Sequence, residues 1–469
     1  MANLNLLDLL LPYGDRSIKV KAKASGYTDS EFSNSVTYHS APVLSVDPEH
    51  DTVIVISNLR AAATGYEFYI NGTLNTTLPY SGADGGTMSV DLDNLSDVPQ
   101  GSLTITVKGT GTGVESNTSN ALSVYYGEGG GEIYGVSGLY QSSPTLTRTD
   151  DAVGMSAAVN TSTGAVSSDF DSVFPWNEAT VETVGGNKFL KMPDMWFRIG
   201  KDASNRITDV AVSKAQGATG DWYKVDSFYY GCYGGSVANS KLASVSGVAR
   251  QHSATRANFR TYAAANGSGY HQLDLYHHTV MVFLWLIEWA NKDSQSIMRG
   301  RDATYGNAAV NTGGTDSLST PSGFNTSTGQ MRYHYIEDFV GNYLEWVDGS
   351  VGNGTAGGAQ YVTADPSKFS DDTTGLNTLA YNSPAANGNC LVSLGWDANN
   401  PFLVLPKEVT NDSNYSTYYC DYAATTNRVC LSVGAYWNDS DANRGVTYFH
   451  RNSVSFSNTY IGGRLLYKP

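Results

Sequence analysis

Four groups of residues in this chain have types and spacing suited to chemistry. Cys420 and Cys430 stand ten residues apart and could form a disulfide or remain two thiols. Trp437-Asn438-Asp439 sets an amide and a carboxylate side by side. Such oxygen donors can ligate Ca²⁺ and a sugar's vicinal hydroxyls together. Asp371-Asp372 could touch the same kind of ion, although aspartate pairs in loops are usually just solvated. His277-His278 offers two imidazoles, but neighbours on a helix point about 100° apart. They do not converge on one ion, so capping or packing is expected of them. No Ser-His-Asp arrangement, phosphate-binding loop or Cys-x-x-Cys pair is evident. A paired-carboxylate glycosidase stays open, because aspartate is abundant throughout.

The elements that must position these groups are read from composition and pattern. At 469 residues, the chain has room for two to four domains at roughly 100–200 residues each. Charged residues are only 16%, while Gly reaches 49 and Tyr 31, which suits turn-rich, strand-rich structure with a polar surface. The net charge of −15 supplies no basic patch, so nucleic acid is excluded as a partner. The longest apolar run, residues 280–287, is far short of the ~20 residues needed to cross a bilayer, so no membrane insertion is expected. Residues 1–11 contain Leu-Leu-Asp-Leu-Leu-Leu without a basic leader and do not read as a secretory signal.

Residues 41–127 alternate short apolar runs with turn signals, with strands expected at 43–46, 52–57, 66–70, 88–92, 103–108 and 122–126. Asn71-Gly72 after Tyr-Glu-Phe-Tyr-Ile is a hairpin signal. The expected product is a small all-β sandwich. Residues 17–38 repeat the pattern of 102–126, so 1–40 is expected to be a partial hairpin or attachment segment. Either its earlier strands are shortened or diverged, or another chain covers its edges. The repeats resemble immunoglobulin-like or fibronectin-type-III-like modules, whose role is spacing and display. Residues 128–131, Glu-Gly-Gly-Gly, read as a linker.

Residues 132–469 are expected to form one α+β domain with two helices, small sheets and long loops. The first helix follows Ser253 or Thr255 as N-cap and stops at Asn266-Gly267. The second, residues 274–298, is apolar almost all round and therefore buried.

Within this region Gly341-Asn342-Tyr343-Leu344-Glu345-Trp346 resembles the G-N-x-x-E-W signature of the formylglycine-generating-enzyme type of C-type lectin fold. The end of the chain resembles the variable region of proteins diversified by retroelements. Gly434 to Trp437 stand for its G-G-x-W-like strand, and Ile461-Gly462-Gly463-Arg464-Leu465 for its closing strand. The resemblance implies a phage or prophage tail-tip protein, or a bacterial adhesin, binding variable host-surface proteins or glycans. It further implies virion-tail localisation after assembly in the host cytoplasm, contacts with other tail proteins through the N-terminal region, and a homo-oligomer, a trimer in relatives. No cofactor is implied, and a structural calcium is left open.

The diversified stretch should lie within about residues 430–465. Retroelements of this kind rewrite adenines in Asn codons, and the resulting codons do not encode Lys, Glu, Gln or Met. Residues 435–460 contain none of these four, where composition alone would give about two. Asn, Tyr, Asp, Ser, His, Arg and Thr fill 18 of these 26 positions, a palette that antibody loops also use. The exposed, ligand-binding set is expected to be Tyr436, Asn438, Asp439, Asp441, Arg444, Tyr448, His450, Asn452, Ser455, Asn458 and Tyr460. Its framework is expected to be Trp346, Trp437, Gly445, Phe449, Ile461, Gly462, Gly463, Arg464 and Leu465. Formylglycine generation would need a copper-binding thiolate pair, which the ten-residue spacing of Cys420 and Cys430 does not match, so no enzyme activity is expected. The alternatives are a calcium-dependent lectin, which Trp437-Asn438-Asp439 also resembles, and a formylglycine-type oxidase.

Overall fold

The structure is a computed structural model that describes residues 16–18, 36–38, 41–47, 50–99, 101–111, 118–126, 132–217, 220–386, 388–412, 418–421, 429–438, 445–447 and 449–469. The chain divides into two compact units, Met1–Gly130 and Gly131–Pro469. It is rich in β-strand with few helices.

In the first unit, Val43–Asp47, His50–Leu59 and Gly86–Asp91 form a three-stranded antiparallel sheet. Thr73–Pro79, Gly65–Ile70, Gly101–Thr110 and Leu122–Tyr126 form a four-stranded one. Both sheets contribute to one core: Ile54, Ile56 and Val90 from the first, Tyr66, Phe68, Ile105 and Val107 from the second. Asn71 and Gly72 both have positive φ, 50° and 78°, and join Ile70 to Thr73 as a two-residue hairpin. The strand Thr73–Pro79 was not expected. Its sequence, Thr-Leu-Asn-Thr-Thr-Leu-Pro, is polar because it is an edge strand with no buried residue. Arg16–Ile18 pairs antiparallel with Val36–Tyr38; the rest of residues 1–40 lies outside the described residues.

The second unit is built on strands more than the sequence suggested. Helix α1 spans Arg256–Ala264 and is capped by Thr255, whose hydroxyl accepts from the Asn258 N–H while the Asn258 side chain accepts from Thr255 N. Thr255→Ala is expected to cost about 1 kcal/mol in this unit's denaturation midpoint, with fluorescence as the readout.

Helix α2, Leu275–Trp289, has only Tyr276 outside the buried set. The single helix expected over 274–298 is broken. Ala290 turns left-handed at φ 45°, and Asp293 caps a separate short helix α3, Ser294–Met298.

The expected small sheets are present as two of two strands and one of three, and beside them stand two five-stranded sheets and one nine-stranded sheet. In one of the former, the terminal strand Arg464–Tyr467 lies between Phe228–Gly234 and Tyr270–Gln272. In the nine-stranded sheet, Leu344–Gly352 neighbours Cys430–Val433, then Phe449–Asn452 and Tyr418–Asp421, with Ile461–Gly462 pairing onto it in parallel. These partners are far apart in sequence, so each strand is legible only once its neighbour is known.

Candidate functional site

The last segment of the chain is held by a buried carboxylate. Glu345 sits on the Leu344–Gly352 strand, opposite Val433 and beside Gly462. Arg464, fully buried, donates from Nε to Glu345 Oε2 at 2.8 Å and from Nη2 to Oε1 at 2.8 Å. Its remaining N–H groups go to the carbonyls of Gly231, Glu337 and Asp338. Arg250 donates to Glu345 from the other side. Burial alone would push the Glu345 carboxyl up, but the two guanidinium groups outweigh it and hold it below its ordinary range. Trp346, next along, is fully buried and donates from Nε1 to the Ala254 carbonyl at 3.1 Å.

This arrangement fixes both ends of the expected variable stretch. Cys430–Val433 before it and Ile461–Gly462 after it both pair with Leu344–Gly352. Trp437 N donates to Asn342 O, and Leu344 N donates to Tyr460 O. Gly434–Trp437, expected as a strand, is not one. Gly434 has φ 80° and ends the strand at Val433, and Trp437 lies in a turn.

Of the expected framework, Trp346, Gly445, Phe449, Ile461, Gly462, Gly463, Arg464 and Leu465 are buried, and Trp437 is half-buried. Of the expected surface, Asn438 and Ser455 are exposed. Tyr436, His450, Asn458 and Tyr460 are half-buried. The Tyr436 and Tyr460 rings stack on each other at 4.3 Å, so each gives up one face.

Asn452 is a correction: it is buried at 4% exposure. It lies on the strand Phe449–Asn452 and donates to Ser432 Oγ on the neighbouring strand, so it belongs with the framework. Asp439, Asp441, Arg444 and Tyr448 lie outside the described residues.

Phe449–Asn452 runs between the strands carrying Cys420 and Cys430, so the two are separated by two strand spacings, about 9–10 Å. The Cys420 side chain lies outside the described residues, and Cys430 is a buried free thiol. Its burial pushes the thiol up to about 11, so it stays protonated at neutral pH. Asp371 is taken up by arginines, accepting from Arg256 and Arg260. Asp372 caps its own loop through the Thr374 N–H.

Two buried groups of acidic and histidine side chains are placed to hold a metal ion. The first spans the strand Tyr270–Gln272 and the start of α2. Asp274 is the N-cap of that helix, and its Oδ1 accepts from the His277 N–H at 2.9 Å. Its Oδ2 lies 3.1 Å from His271 Nε2 and 2.8 Å from His277 Nδ1. His278, the other half of the sequence pair, points elsewhere, packs its ring 5.8 Å from Phe339, and leaves both nitrogens without a partner. In the second group His334 stands between Glu288, at 2.8 Å from Nε2, and Asp171, at 3.8 Å from Nδ1. Neither group was singled out from sequence, although His271-x-x-Asp274-x-x-His277 carries a readable spacing. A separate cleft of about 460 Å³, lined by Gln295, Arg299, Tyr305 and Phe324 among others, includes none of the residues expected to bind ligand.

No protein-family model and no curated protein matches this chain. Among solved structures, PvdO from Pseudomonas aeruginosa aligns with 64% of this chain and 100% of its own length, at 12% identity and a TM-score of 0.30. A likeness that slight carries neither a fold nor an activity across.

Proposed function

We propose that this chain is a retroelement-diversified receptor-binding protein of a phage or prophage tail, which attaches to variable host-surface proteins or glycans. An immunoglobulin-like sandwich spaces or attaches a C-type-lectin-type domain, and the protein acts as a homo-oligomer, a trimer in the form the resemblance implies. Several weak sites then add as avidity.

The observation that carries this reading is the anchoring of residues 434–460. Their two flanks pair with one buried strand, and Glu345 and Arg464 lock that strand to the chain's end. A stretch held from both ends tolerates side-chain replacement between them, which is what a diversified surface requires. The buried, protonated Cys430 counts against a copper oxidase. Recognition of this kind needs no cofactor.

The test is substitution of Asn438, Ser455 and Asn458 together by alanine, followed by host-cell binding and thermal unfolding. Binding is expected to fall about tenfold or more while stability moves by no more than ~0.5 kcal/mol. Binding that instead disappears with a calcium chelator and ignores the triple substitution would favour the calcium-lectin reading.

A further inference from the structure

We propose that His271, Asp274 and His277 form a zinc site that ties the start of the central helix to the strand pairing with the chain's end. The sequence spacing is H-x-x-D-x-x-H, with the first histidine on the strand Tyr270–Gln272 and the last on the first turn of α2. Three features point to an ion.

The first is convergence. His271 Nε2 and His277 Nδ1 both face the same carboxylate oxygen, Asp274 Oδ2, at 3.1 and 2.8 Å. The three ligand atoms all lie within 4.8 Å of one another. Tetrahedral zinc, with bonds of roughly 2.0–2.2 Å to nitrogen and oxygen, separates its ligand atoms by about 3.4 Å. Two of the three separations lie within about 0.6 Å of that value, and the third is no more than 4.8 Å.

The second is division of labour within Asp274. Oδ1 accepts the His277 backbone N–H and caps the helix. Oδ2 is the oxygen that both imidazoles reach, while His277 Nδ1 also lies 2.9 Å from Oδ1; coordination through Oδ2 leaves the backbone cap at Oδ1 in place.

The third is the shell. His271, Asp274 and His277 are all buried. The Phe228 ring lies 4.6 Å from His277, Tyr276 5.0 Å from it, and Phe369 5.8 Å from His271. Rings packed in this way hold the two imidazoles in place around a bound ion.

The donor set selects the ion. Calcium takes six to eight oxygens, and this cluster offers two imidazoles and one carboxylate. Two nitrogens and an oxygen suit zinc, with one coordination position left for water. Coordination needs each ring to carry its proton on the nitrogen facing away from Asp274.

The experiment measures zinc by elemental analysis in the full chain after dialysis against a weak chelator. Wild type is expected to retain about one equivalent. His271→Gln with His277→Asn keeps an N–H donor at each place but removes the metal-binding nitrogens. That double variant is expected to lose zinc about tenfold or more, while His278→Leu retains it. Should the double variant fail to fold, cobalt added to metal-free wild type gives the answer. Visible absorption of tetrahedral cobalt with nitrogen and oxygen ligands supports the site. No zinc in wild type, equal zinc in both proteins, or a cobalt–thiolate band signalling cysteine ligation instead would each overturn it.

Discussion

Glu345→Ala is expected to destabilise the C-terminal unit by about 3–5 kcal/mol, because it leaves two buried arginines facing a vacated carboxylate. Arg250 and Arg464 both have fully buried side chains, and both pair with Glu345. Neither guanidinium can shed its charge at working pH, so desolvation is not relieved by titration. Arg464 keeps three carbonyl acceptors after the change, which limits the loss. Among the described residues Arg250 keeps the more distant Asp338, at 3.8 Å, together with the Tyr343 ring beneath it. The measurement is urea unfolding followed by tryptophan fluorescence. All eight tryptophans lie beyond residue 131, so the signal reports this unit alone. Adding Arg250→Met to Glu345→Ala should recover part of the loss, since it removes the buried charge left with the fewest partners. A single-variant loss below ~1 kcal/mol would mean that water reaches the cluster and that the end of the chain is held by other contacts.

The same carboxylate illustrates what sequence can and cannot reveal. Glu345 stands out in the sequence because it precedes a tryptophan in a run that resembles a known signature. Its partners do not: Arg250 lies 95 residues upstream and Arg464 119 downstream, and nothing local distinguishes them from other arginines. Local signals did carry local structure. Thr255 with Asn258 marks the start of α1, and Asn71-Gly72 marks its hairpin. The break in the second helix was hidden because Ala290 is a good helix former whose left-handed φ is imposed by its surroundings. Asn452 was misread for a related reason. Its composition suits an exposed loop, but a strand placed it beside Ser432, where its amide has a donor's role. Adjacency drew attention to His277 and His278 as a pair, whereas the fold brings His277 together with residues three and six positions earlier.

His278→Leu is expected to raise stability by about 1–3 kcal/mol at pH 7 and by about 3 kcal/mol more near pH 4. The imidazole is fully enclosed and has no partner for either nitrogen, so its neutral form already sits at a disadvantage against leucine of similar volume. Its charged form is worse. Burial is the chief cause, and the Arg464 guanidinium adds to it against the opposing carboxylates of Glu345 and Asp274, so the group is lowered from 6.5 to about 4. In the unfolded chain a histidine takes up its proton near pH 6.5, and in the folded chain this one does so only near pH 4. Between those values the unfolded state binds the extra proton, so the wild-type protein loses stability as pH falls through this window. Above pH 6.5 neither state is protonated and the term vanishes. Leucine has no such term. The diagnostic is therefore the difference between variant and wild type, because carboxylates elsewhere titrate equally in both. Urea midpoints taken from pH 7.5 to 4 in metal-free buffer measure it without interference from an ion at His271 and His277. A difference that stays flat across this range would mean that His278 finds a proton partner in the folded chain, and the buried face of α2 would then be polar at its start.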